Sequence, residues 1–110
     1  MTSGTIRIAQ LNDELRTTFL TGKVILTPGI RALADADREA IITAVREFSV
    51  FTPGSDPYGE HDFGAVTHAN VGRIIWKIDY YDDDYRCHSP DPADPKVTRR
   101  VLTIMLAEEY

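Results

Sequence analysis

The segment His61 to Tyr81, HDFGAVTHANVGRIIWKIDYY, limits the fold more than any other stretch. Two runs rich in β-branched and aromatic residues flank the short connection ANVG, the pattern of a β-hairpin. Strands are expected at 61–68 and 72–81. With the turn centred between Asn70 and Val71, Ala65 faces Trp76, Phe63 faces Ile78 and Thr67 faces Ile74. One side of the ribbon then holds Phe63, Ala65, Ile74, Trp76, Ile78 and Tyr80, which suits a core. The other holds Asp62, Gly64, His68, Arg73, Lys77 and Asp79. This register sets Asp62 opposite Asp79 with Lys77 diagonally near, and a slip of one residue would change every pairing.

The flanking segments supply partners for the ribbon. In 5–19, Ile8, Leu11, Leu15 and Phe19 recur at helical spacing, with Arg7, Asn12, Asp13 and Arg16 expected in solvent and Gly22 ending the segment. KVILT (23–27) reads as a strand closed by the turn pair Pro28-Gly29. In 35–48, Asp35 is a suitable N-cap and Ile41, Val45 and Phe48 form an inward stripe. Asp94-Pro95 has the form of a helix start, so a third helix is expected at 95–108, with Val97, Val101, Ile104 and Met105 inward. The β-branched content of VTRRVLTI keeps a strand open as the alternative there. The expected class is α+β: a small antiparallel sheet with a β-hairpin, covered mainly on one face by about three helices.

A chain of 110 residues is one domain, 1–110. No apolar run is long enough to span a bilayer, and the N-terminus lacks the apolar core of a signal peptide. Cys87 is the only cysteine and forms no internal disulfide, which fits a reducing cytoplasm. A net charge of −5 disfavours direct contact with nucleic acid. The expected partners therefore include neither nucleic acid nor membrane.

Three clusters are candidate sites. Glu60, His61 and Asp62 offer an acid/base set that Lys77 and Asp79 could extend; the plainer reading is a polar entry to the hairpin, since neighbouring strand side chains diverge. Tyr81, Asp82, Asp83, Asp84 and Tyr85 form an acidic-aromatic segment suited to a basic groove on a protein partner; the plainer reading is a solvated loop. Cys87 beside His88 is not a nucleophile–base pair, because adjacent side chains point apart. Glu60, His61, Asp62, His68, Asp79 and His88 include enough donors for a metal, yet their spacing matches no metal motif, and none is expected. The phosphate-binding, dinucleotide and nucleophile-elbow motifs are absent, so no cofactor is expected.

Taken together, TGKVILTPGI, FTPGSDPYGEHDFGA, WKIDYYD and SPDPADPKVTRRVLTIMLAEEY resemble a family of small bacterial proteins catalogued as a domain of unknown function. The resemblance covers nearly the whole chain and implies a bacterial intracellular protein, of a kind found on plasmids and other mobile elements. It implies no activity. Two functional expectations follow. The first is a non-catalytic binding protein, an accessory factor or inhibitor of a host defence system, acting through Tyr81–Tyr85. The second is a small hydrolase or lyase using His61, Asp62, Lys77 and Asp79.

Overall fold

The computed structural model describes residues 2–110. In chain order the elements are α1 (Ser3–Thr18), β1 (Lys23–Leu26), α2 (Pro28–Arg31), α3 (Asp35–Arg46), β2 (Phe63–His68), β3 (Gly72–Tyr81), β4 (Arg99–Leu106) and a closing 3-10 turn, Ala107–Glu109. The class is α+β, with three α-helices and a four-stranded sheet ordered β1-β4-β3-β2. The sheet is mixed rather than purely antiparallel: β4 runs antiparallel to β3 but parallel to β1.

The helix expected at 95–108 is instead the central strand β4. Asp94 and Pro95 start a turn, with the Asp94 carboxylate accepting from Lys96 N at 2.9 Å. A turn uses the same side-chain acceptor as a helix cap, so the two share a signature. The chain beyond it satisfies both neighbours in the sheet. Leu102 and Ile104 join the core, while Val101 and Met105, on the opposite side, are also buried. Burial on both faces removes the alternation that marks a half-exposed strand. The third helix is α2, formed where Pro28-Gly29 reads as a turn, with Pro28 in its first turn.

The hairpin is present, shifted by one residue from the expected register. Phe63 pairs with Lys77, Gly64 with Trp76, Ala65 with Ile75 and Thr67 with Arg73. His68 pairs with Gly72, so the loop holds three residues, and Gly72 takes φ 108°, which favours glycine. The slip turns Phe63 and Ala65 away from the core and brings Gly64 and Val66 to it. Trp76 demands this. A Cβ on residue 64 would lie 2.5 Å from the indole Nε1, so only glycine lets the ring lie across β2. Asp62 consequently sits opposite Ile78, whose N–H it receives at 2.8 Å, and not opposite Asp79.

The helices cover one sheet face. Leu15, Ile30, Ile41 and Val45 meet Ile74, Trp76, Ile78, Leu102 and Ile104 in a single core. Each fully buried aliphatic side chain contributes roughly 1.5–3 kcal/mol. Helix α1 ends at Phe19, in the left-handed conformation with its N–H on the Leu15 carbonyl at 2.8 Å, before Gly22 is reached. Two α1 residues expected in solvent, Asn12 and Arg16, are buried. Arg16 Nη1 donates to the carbonyls of Val45 (3.0 Å) and Arg46 (3.2 Å), at the C-terminal end of α3, where a cation is favoured. Its guanidinium also lies 5.3 Å from the Trp76 ring centre.

Candidate functional site

The sheet face without helices forms a groove of about 730 Å³. Alternation along the strands selects its floor: Lys77, Asp79 and Tyr81 from β3, Val101, Thr103 and Met105 from β4, and Lys23 and Ile25 from β1. Tyr85 and Tyr110 form parts of its wall. Lys23 Nζ lies 3.9 Å from the Tyr85 ring centre, a cation–π contact. Tyr110 packs edge-on against Phe63 at 5.8 Å.

The charges in the groove are matched locally. Lys77 Nζ meets Asp79 Oδ2 at 2.8 Å, and this bond raises the lysine pKa above its ordinary value. Glu109 accepts from the Thr27 hydroxyl at 2.7 Å, Leu106 N at 2.9 Å and Gly29 N at 3.0 Å. The Thr27 bond, followed by the Leu106 bond, holds its carboxyl below the usual range.

The acidic-aromatic segment lies on the rim of this groove. Tyr81 ends β3, and Tyr85, at φ 59°, turns back so that both rings line the groove. Asp82 serves its own turn: Oδ1 accepts from Arg86 N at 3.1 Å and Asp84 N at 3.2 Å. The Arg86 bond holds its carboxyl below the usual range. Asp83 stands 3.6 Å from Arg99 Nε, and Asp84 is exposed. Of the three carboxylates, Asp83 and Asp84 remain on the exposed rim.

The acid/base candidates are not gathered in one place. Lys77 and Asp79 face the groove, whereas His61 meets α1 on the helical side. His61 Nδ1 lies 3.0 Å from Asp13 Oδ1, its Nε2 lies 3.8 Å from Asp56 Oδ2, and its ring stacks on Phe51 at 3.9 Å. Glu60 accepts from the Tyr80 hydroxyl at 2.8 Å. His68 contacts Asp37 at 2.8 Å, which draws the Asp37 carboxyl below its usual range. His88 Nδ1 lies 2.9 Å from the Ser89 carbonyl, while Cys87 is exposed. Among the described residues no group of three or more histidine, cysteine or acidic side chains is placed to hold a metal ion.

Asp62 is half-buried, and burial, then the charge of Glu60, raises its pKa. A carboxyl with a raised folded-state value destabilises the fold once ionised, and the penalty fades as pH falls below that value. Asp62→Asn is expected to raise the urea midpoint at pH 7, with the gain disappearing as the parent protein is acidified through the Asp62 titration. Paired melts across pH 3–7 provide the check; an equal gain at every pH would assign the effect to packing.

Sequence reasoning missed a buried polar cluster on the helical side. Asn12 Nδ2 donates to the Tyr80 hydroxyl at 2.8 Å and the Glu60 carbonyl at 2.9 Å, and its Oδ1 accepts from Arg100 Nε at 2.8 Å. The signal was present: Asn12 and Arg16 follow Ile8 at steps of four, on the inward side of α1.

A family model described as "Protein of unknown function (DUF3768)" matches residues 26–109. No curated protein and no solved structure matches the chain.

Proposed function

The chain belongs to the DUF3768 family, whose description assigns no activity, and from its geometry we propose that it is a non-catalytic binding protein whose contact surface is the open sheet groove. The supporting observation is a groove of about 730 Å³ with apolar and tyrosine walls, whose lysines and carboxylates are engaged by neighbouring groups. Such a surface offers contact area without a poised nucleophile or base. The partner in this reading is a protein that inserts an apolar side chain between Tyr85 and Tyr110 and sets basic residues against Asp83 and Asp84. The protein would act by occupying that partner, as an accessory factor or inhibitor in the cytoplasm. The hydrolase or lyase alternative would rest on His61 with Asp13 and Asp56, because Lys77 and Asp79 lie across the sheet from it.

Ile25 provides the test, being 46% exposed in the groove. A partner captured from source-cell lysate by the wild-type chain should bind Ile25→Asp at least about tenfold more weakly, because docking would bury an unpaired charge. Val50→Asp, at an exposed position outside the groove, should bind as wild type. Undiminished binding by a folded Ile25→Asp protein would exclude the groove as the contact surface.

A further inference from the structure

We propose that a second, smaller cleft, between α1 and the start of β4, is a binding site for a phosphoryl group. The cleft encloses about 330 Å³ and is lined by Arg7, Arg99 and Arg100, with Thr98, Glu14 and Tyr85 among its other walls. Arg7 and Arg100 are near enough for the charge of one to act on the other, and a paired guanidinium site of this kind suits an oxyanion.

Arg100 is the central observation. It is only 5% exposed, yet its hydrogen bonds go to neutral acceptors: Nε to Asn12 Oδ1 at 2.8 Å and Nη2 to the Pro92 carbonyl. No carboxylate forms a salt bridge with it among the described residues, and Nη1 has no hydrogen-bond partner there. Its ring neighbour, Tyr80, lies 5.1 Å from the guanidinium. Glu60, the acid whose field reaches Arg100, is engaged by the Tyr80 hydroxyl at 2.8 Å. Burial, opposed by Tyr80 and reinforced by the like charge of Arg7, lowers the Arg100 pKa. A buried guanidinium beside a second cation is costly unless an anion joins them.

Arg7 is the second group available to that anion. Arg7 is exposed on α1 and has no ion-pair partner among the described residues. Arg99 borders the cleft, but it is next to Arg100 on β4, so its side chain leaves the opposite face of the sheet, where Asp83 lies 3.6 Å from its Nε. Gly22 keeps the wall thin: a Cβ there would lie 2.6 Å from the Arg100 carbonyl oxygen. This site is distinct from the sheet groove, although Tyr85 borders both.

The experiment titrates the full chain with inorganic phosphate, and separately with succinate, at matched ionic strength, following backbone and arginine Nε–H resonances by NMR. Phosphate should give saturable shifts centred on Arg100 Nε–H, Gly22 and Thr98, with succinate weaker. Removing one charge-assisted contact in Arg7→Ala should weaken phosphate binding by about tenfold or more. Arg73→Ala, at an exposed arginine outside the cleft, should leave it unchanged. Absence of saturable shifts at the cleft, stronger binding of succinate, or undiminished phosphate binding by Arg7→Ala would each overturn the assignment.

Discussion

Trp76→Ala is expected to lower the unfolding free energy by about 3–5 kcal/mol, the usual cost of deleting a large buried aromatic. Trp76 is the sole tryptophan and has no exposed surface. It meets Phe48 edge-on at 5.5 Å and Phe51 at 6.2 Å, and the Arg16 guanidinium lies 5.3 Å from its ring centre. Alanine would leave a void with β2 on one side, where Gly64 contributes no side chain to fill it. Urea unfolding followed by far-UV circular dichroism measures the loss, with a lower midpoint and a preserved slope. A variant as stable as wild type would show that this face of the sheet is not the core.

Asn12→Ala is expected to cost roughly 2–4 kcal/mol, although only one short polar side chain is shortened. Asn12 makes three hydrogen bonds from a position with no exposure. Its removal deprives Arg100 Nε of an acceptor and the Glu60 carbonyl of a donor. An unsatisfied buried charge costs more than the average net value of a hydrogen bond. Denaturant melts measure the loss, and the Arg100 Nε–H resonance should move with it. A cost below about 0.5 kcal/mol, the range of ordinary surface substitutions, would mean that the cluster is already open to water.

The sequence made the elements more legible than their arrangement. Periodicity located α1, α3, β1 and both hairpin strands, because each has one apolar face. It failed at β4, where central burial erases the alternation and Asp94-Pro95 resembles a helix start. It also placed the hairpin one residue out of register, because the fit of Gly64 beneath the Trp76 ring is a contact across strands. The tyrosines of the acidic-aromatic segment do line a concavity, whereas the role of Asp82 as a turn acceptor is a local geometry that composition does not reveal. Arg100 was invisible as a site residue. Its meaning depends on Asn12 and Arg7, which α1 brings to it from the far end of the chain.

The parallel pairing of β1 with β4 bears on how the molecule comes into being. Lys23 must find Val101 and Leu26 must find Ile104, yet β4 is made after every other strand. During synthesis, α1, β1 and α3 emerge well before the strand that joins β1 to the hairpin. Their apolar faces wait, without Leu102 and Ile104 to cover them. Pairings so distant in sequence incur the loop-closure entropy before any contact offsets it, and they slow folding relative to local helical contacts. The nascent chain is therefore most open to aggregation or chaperone capture before β4 joins the sheet.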